Sequence, residues 1–325
     1  MIKAGIIGGA GFTAGELIRI LISHPKVEID FVFSTSNAKN KICSIHQDLV
    51  GDIDMLFTDT INPAVDVLFL CLGHGNSKTF LAHNEFSANT RIIDLSNDFR
   101  LENEREFKNK TFVYGLPELN KEAIKKAQFI ANPGCFATAI QLAVLPLAKD
   151  NLIKNELHVN AVTGATGAGT SFSKTTHYTW RDNNFSHYKA FTHQHLGEIY
   201  QTVHRLQPNF NFEINFIPNR GNFTRGIFAT LYTEFDGSLE EAKAIYTNFY
   251  KDAKFTFLSD DEIHLKQVVN TNKCLLHLEK NNNKLLITSV IDNLLKGASG
   301  QAVQNMNLMF GFEETLGIKL KATFF

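Results

Sequence analysis

The segment Gly8-Gly9-Ala10-Gly11-Phe12-Thr13-Ala14-Gly15 constrains this chain most, because it follows an apolar strand-like run, Ile2 to Ile7, and leads into a helical pattern. That pattern extends from about Ala14 to Ser23 and is followed by a second apolar run, Val27 to Phe33, which predicts a βαβ opening. Glycine at such a turn lets backbone N–H groups come close to a pyrophosphate at a helix N-terminus. Gly8, Gly11 and Gly15, with Phe12 and Thr13 between them, are therefore candidate dinucleotide ligands. The spacing is not a strict G-x-G-x-x-G, so position within the βαβ unit carries the inference.

Further apolar runs at Val65 to Leu72, Arg91 to Leu95 and Gln128 to Ala131, with a helix over Ser77 to Phe86, continue the alternation. Continuous apolar runs suit parallel strands covered on both faces, so the expectation is an α/β fold with a Rossmann-type doubly wound nucleotide-binding domain. The pattern changes after Cys135. An apolar helix over Ala137 to Ala148 precedes a strand at Glu156 to Thr163 and a glycine-rich loop, Gly164 to Gly169. Alternating runs follow at Glu213 to Ile217 and Arg225 to Phe235, then a hairpin of Leu275 to Leu278 and Leu285 to Val290 around the turn Lys280 to Lys284. These predict a second, α+β domain with a mixed or antiparallel sheet, and a last helix covers about Ser299 to Phe310. A chain of 325 residues is long enough for two cores.

The second strand ends at Phe33-Ser34-Thr35-Ser36-Asn37, where an NAD enzyme usually offers an acid to the ribose hydroxyls. Hydroxyls of Ser34, Thr35 and Ser36, with Lys39 or Lys41 nearby, suit a 2′-phosphate instead, so NADP is the expected cofactor. The competing reading gives the ribose to Asp30 or to a residue distant in sequence. A net charge of −1 with no basic stripe speaks against a nucleic-acid partner. The most apolar stretch, Val65 to Leu72, is too short to span a bilayer, and the opening residues resemble a strand more than a signal peptide, so the expected address is cytoplasmic, with no membrane partner.

Cys43, Cys71, Cys135 and Cys274 form no C-x-x-C pair, and no metal site is expected. Cys135 alone has a setting for chemistry: Ala131-Asn132-Pro133-Gly134-Cys135-Phe136 lies between an apolar strand and the long helix. A helix N-terminus favours the thiolate, the form that attacks a carbonyl. A thiol nucleophile beside a hydride donor implies acyl chemistry, with hydride moving between a thioester or hemithioacetal carbon and the nicotinamide. For the acid/base group, His193-Gln194-His195 is the best placed by pattern, and the sequence alone does not choose between the two histidines.

With those residues in view, the chain resembles the N-acetyl-gamma-glutamyl-phosphate reductases of arginine biosynthesis, a semialdehyde dehydrogenase-like family. The similarity runs in order through the Gly-rich turn, Ile93 to Leu101, Val113 to Asn120, Ala131 to Cys135, Gly167-Ala168-Gly169, His193 to His195 with Glu198-Ile199, Arg225-Gly226, and Asp292 to Asn305. The resemblance implies NADPH-dependent reduction of a glutamyl acyl phosphate to the semialdehyde with release of phosphate. It makes Cys135 the nucleophile and His193 the acid/base histidine, and puts Arg225, His195 and Gly167 around the substrate. Asn293 and, more weakly, Gln304 would join the nicotinamide site. It further implies a discontinuous NADP-binding domain, 1–134 with 298–325, a catalytic domain at 135–297, and a homodimer or homotetramer.

The match departs at Leu72-Gly73-His74-Gly75, at Thr166, between Ser173 and Lys189, and at Phe223-Thr224, all near the expected acyl pocket. An N-succinyl or aminoadipate substrate is therefore an alternative to the N-acetyl one. An aspartate-semialdehyde dehydrogenase is the neighbouring enzyme type, and a non-catalytic NADP-binding sensor is the alternative of a different class.

Overall fold

The computed structural model describes residues 1–325 in two units, Met1–Pro133 with Ala298–Lys319 and Gly134–Gly297 with Leu320–Phe325. The last six residues, expected with the nucleotide-binding domain, group with the catalytic one instead. There the N–H of Thr323 donates to the carbonyl of Val269.

In the first unit, strands β1 (Ile2–Ile7), β2 (Val27–Phe33), β3 (Val67–Leu70), β4 (Arg91–Asp94), β5 (Val113–Tyr114) and β6 (Phe129–Ala131) form one sheet. Its order is β2-β1-β3-β4-β6-β5, and every adjacent pair is parallel. The run Val67 to Leu70 is buried throughout, which is why it shows no alternation in sequence. Chain direction across the sheet reverses between β1 and β3, the point at which doubly wound folds open a crevice at the carboxyl ends of the strands. Helices α1 (Phe12–Leu21), α2 (Asn76–His83) and α3 (Pro117–Lys126) connect these strands. A last helix of this unit, Ser299–Met309, is buried along its whole length and packs against α1 and α3.

The second unit is organised around α4 (Cys135–Lys149), in which every residue from Phe136 to Ala148 is buried. A helix that is apolar on all sides must be covered on all sides. α4 meets a seven-stranded sheet and two amphipathic helices, α5 (His195–Leu206) and α6 (Leu239–Tyr250). The strands are β7 (Leu157–Thr163), β8 (Ser186–His187), β9 (Ile214–Arg220), β10 (Ile227–Glu234), β11 (Thr256–Ser259), β12 (Cys274–Asn281) and β13 (Lys284–Ile291). They lie in the order β8-β9-β7-β10-β13-β12-β11, with β9·β7 and β11·β12 parallel and the rest antiparallel, so the sheet is mixed. The β12–β13 turn is tighter than the expected Lys280 to Lys284 loop, because pairing continues to Asn281↔Lys284 and leaves only Asn282 and Asn283. Asn282 takes the left-handed backbone (φ 51°) that asparagine tolerates.

Pro146 lies inside α4 and has no N–H to offer the carbonyl of Leu142. The hydroxyl of Tyr250, from α6, donates to that carbonyl, and Tyr246 does the same for Ala143. The helix thus keeps its buried carbonyls satisfied across the proline. Tyr250→Phe is expected to destabilise the protein by about 1 to 2 kcal/mol, read by urea denaturation, because it orphans a buried carbonyl. An unchanged midpoint would show that the proline needs no such compensation.

Candidate functional site

The cofactor residues begin where β1 ends. Gly8 has φ 80°, and a Cβ there would lie 2.6 Å from the carbonyl oxygen of Cys71, so only glycine fits. The N–H groups of Gly8 and Gly9 donate to the carbonyl of Phe33, pinning the turn to the end of β2. Gly11 is the N-cap of α1 and makes no side-chain cap bond, so the first N–H groups of that helix have no side-chain acceptor from the cap. Phe12 is exposed and Thr13 is half-buried, its carbonyl accepting from Ser299 Oγ at 2.7 Å. Gly15 serves the turn indirectly: a Cβ there would lie 2.6 Å from the His46 ring, whose Nε2 is 2.7 Å from the carbonyl oxygen of Gly9. His46 thus braces the loop, although nothing in its sequence setting marks it.

At the end of β2, Asn37 Nδ2 donates to Ser34 Oγ (3.2 Å) and Ser36 Oγ (3.0 Å), gathering the hydroxyls into one cluster, with Thr35 exposed beside them. Asp30, the competitor for the ribose, is engaged elsewhere, accepting from Asn62 at 2.9 Å and facing Lys3 at 3.4 Å. Lys41 is paired with Asp54, while Lys39 is exposed on a left-handed residue. A glycine cradle too tight for a Cβ, followed by an acid-free hydroxyl cluster, fits a dinucleotide with a 2′-phosphate. Gln304 does not join it. That side chain is wholly buried and donates to Glu314 Oε1 at 2.8 Å, so it holds its own helix in place.

In the second unit, Cys135 is the first residue of α4 and half-buried, and its N-cap Gly134 has extended backbone. The N–H of Gly134 donates to Glu198 Oε2 at 3.0 Å, so a carboxylate from α5 caps the helix that carries the thiol. His193 lies edge-on to Phe136, the residue after the thiol, with ring centroids 5.5 Å apart. Burial first, then the positive charges of Lys189 and Arg220, hold its pKa down to about 4. Its Nδ1 accepts the backbone N–H of His195 at 3.2 Å, which fixes the neutral ring with its proton on Nε2. His193 is therefore a neutral hydrogen-bond donor. His195 points toward Glu198, Nε2 to Oε1 4.0 Å, and acts through the backbone of the turn.

A cavity of about 150 Å³ opens beside His193, lined also by Thr163, Gly167, Tyr188, Lys189 and Arg220. The Arg220 guanidinium lies over the Tyr188 ring, 4.2 Å from its centroid. Burial, then the charge of a Cys135 thiolate, push the Tyr188 hydroxyl above its ordinary range, which leaves it protonated. The other thiols offer no such setting. Cys274 is wholly buried, Cys43 is half-buried in a short 3₁₀ turn, and burial followed by the Asp94 charge pushes Cys71 well up.

Two expected site residues have other duties. Arg225 pairs with the wholly buried Asp292, with Nε and Nη2 at 3.1 and 3.0 Å from the same oxygen, so one side of its fork neutralises a core carboxylate. Asn293 is engaged at both ends: Oδ1 accepts from the N–H of Gly226 (2.7 Å) and Nδ2 donates to Thr166 Oγ1 (3.0 Å). It ties the two glycine loops together. Sequence reasoning missed Tyr188 and Arg220. A second Arg-Gly pair, Arg220-Gly221, stands five residues before Arg225-Gly226 and was the available signal.

A parallel dinucleotide-binding sheet and a mixed-sheet unit with a thiol at a helix start define the semialdehyde dehydrogenase class. The family profile "Semialdehyde dehydrogenase, NAD binding domain" matches residues 3–127, and "Semialdehyde dehydrogenase, dimerisation domain" matches residues 135–293. Among solved structures, aspartate semialdehyde dehydrogenase II of Vibrio cholerae aligns with a TM-score of 0.72 over 96% of this chain and 98% of its own, at 16% identity, a likeness of fold. Within the class, the chain belongs to the N-acetyl-gamma-glutamyl-phosphate reductase family. Proteins of that name from Christiangramia forsetii and Flavobacterium johnsoniae are 68% and 62% identical to it over the full length of both chains.

Two outcomes test this geometry. Arg225→Met should cost about 3 to 5 kcal/mol in chemical denaturation, because it strands a buried carboxylate; a loss under 1 kcal/mol would return Arg225 to the substrate. The unfolded imidazole of His193 takes a proton near 6.5 and the folded one only near 4, so its contribution to stability is full above about pH 6.5 and falls as pH drops toward 4. The melting temperature of His193→Asn should accordingly fall less than that of the parent over this window, and equal slopes would contradict the shift.

Proposed function

We propose that this chain catalyses the NADPH-dependent reduction of N-acetyl-gamma-glutamyl phosphate to N-acetylglutamate 5-semialdehyde, with release of phosphate, through a thioester on Cys135. The observation that carries the mechanism is a half-buried thiol at the start of α4, in the same unit as a cavity that presents a neutral His193. The sulfur attacks the acyl carbon, the bond from that carbon to the phosphate oxygen breaks, and phosphate leaves with the electron pair. Bound NADPH supplies the hydride that takes the thioester carbon to the hemithioacetal level. His193 directs its Nε2–H at the oxygen of that carbon while the oxygen carries negative charge, in the manner of an oxyanion donor. When the oxyanion collapses to the aldehyde, Cys135 departs as the thiolate, the form its helix terminus favours.

The turn at Gly8 and Gly11 would take the pyrophosphate, and Ser34 with Ser36 and Asn37 the 2′-phosphate. Self-association as a dimer or tetramer through the second unit is supported by the dimerisation-domain profile over residues 135–293. No helix is long and apolar enough to cross a membrane, in keeping with work in the cytoplasm.

The test runs the reaction backwards: purified protein given N-acetylglutamate semialdehyde and phosphate should reduce NADP, with NAD a poorer acceptor. Cys135→Ser is expected to lower kcat by roughly a thousandfold or more, and His193→Asn by about 10²- to 10⁴-fold. Absence of turnover by the parent enzyme would reject the reaction, and a larger loss in His195→Asn than in His193→Asn would reassign the donor.

A further inference from the structure

The cavity beside His193 has a surplus of positive charge. Lys189 and Arg220 line it, and Lys189 Nζ donates only to a neutral acceptor, Gln194 Oε1, at 3.2 Å. Arg220 Nη1 donates to Thr175 Oγ1 at 2.9 Å, another neutral partner. Behind Arg220 lies Arg181, at the end of the one-turn helix Tyr178–Arg181 and only 8% exposed. Its Nη2 donates to the carbonyl of Gly221, the residue that follows Arg220. Its Nε and Nη1 are buried with no hydrogen-bond partner. Neither arginine has a carboxylate among its ion pairs, although elsewhere in the same unit Arg225 has Asp292.

A buried guanidinium without a counter-ion is costly, and a second one beside it adds repulsion. Burial, followed by the charge of Arg220, indeed lowers the proton affinity of Arg181. An anion brought in from outside would relieve that cost, and a guanidinium fork matches a carboxylate in particular. Arg181 belongs to the stretch Ser173 to Lys189, where the resemblance to the family pattern is weak. Arg220 lines the same cavity as His193.

We propose that Arg220 and Arg181, with Lys189, form a carboxylate subsite that takes a charged group of the substrate remote from the acyl carbon attacked by Cys135. The inference rests on the reaction proposed above. The carboxylate has two possible sources, the α-carboxylate of the glutamyl skeleton and a terminal carboxylate on the N-acyl group. Arg220 contacts the substrate directly, and Arg181 is a positioning residue that supplies charge from behind.

Kinetics of the reverse reaction test this with Arg220→Met, Arg181→Met and Arg181→Lys. Both methionine variants should raise KM for the semialdehyde by about 10- to 100-fold, with little change in KM for phosphate or NADP, and Arg181→Lys should recover part of the loss. N-acetyl and N-succinyl glutamate semialdehydes, and the α-carboxamide of each, identify the source. A penalty confined to the succinyl substrates assigns the acyl carboxylate, and one that disappears with the carboxamides assigns the α-carboxylate. A rise in KM for phosphate alone, or folded variants with unchanged KM for every semialdehyde, would overturn the subsite.

A turnover-independent measurement separates this outcome from failure of the reaction itself. N-acetylglutamate and N-succinylglutamate should raise the melting temperature of the parent protein, and at least one of these shifts should be lost in Arg181→Met. Without ligand, Arg181→Met should melt no lower than the parent, since it removes an unpaired buried charge. Equal ligand-induced shifts in parent and variant would also overturn the proposal.

Discussion

A single buried carboxylate holds the catalytic half of this enzyme in register. Asp292 accepts the N–H groups of Leu294 and Leu295 through Oδ1 and that of Asn270 through Oδ2, and it is neutralised by Arg225. The turn thus closed puts Asn293 between Gly226 and Thr166 and brings Gly297 against the nucleophile, where a Cβ would lie 2.8 Å from that of Cys135. Asn293 and Cys135 are thus both held in place by one buried side chain.

Charge around the reacting thiol is arranged in layers. The carboxylate of Glu198 caps α4 one residue before Cys135, and the cations of Lys189 and Arg220 lie on the cavity side of His193. Burial first, then those cations, keeps the imidazole neutral, and the backbone of His195 selects its tautomer. Two histidines that are alike in sequence acquire separate work because one peptide N–H points at the ring of the other.

Much of the fold was legible because burial on both faces writes continuous apolar runs, as at Val67 to Leu70, and because the Gly8 turn tolerates no other residue. α6 left a readable mark in its Ser238-to-Glu241 capping box, but its weak apolar stripe hid it among the surrounding strands. The site was less legible. Cys135 and His193, the proposed nucleophile and donor, lie in local patterns that mark them as candidates. Arg225 and Arg220 look alike in sequence, and only the long-range contact with Asp292, 67 positions away, tells them apart. Tyr188 and Arg181 come from a stretch of short turns and a two-residue strand, where no periodicity signals which side chains turn inward. The sequence also gives no sign that Asn293 ties Gly226 to Thr166.

The close approach of Gly297 to Cys135 has an evolutionary consequence. Position 297 has no room for a side chain, so the geometry of the nucleophile cannot drift without breaking the turn beneath it. Arg181 and Lys189 lie instead on short turns, and Arg220 at the very end of β9, all outside the Asp292 turn that seats the thiol. The scaffold thus keeps its chemistry in a part that resists change and its substrate contacts in a part that tolerates it, so a lineage could exchange one acyl substrate for another while the reaction stayed the same.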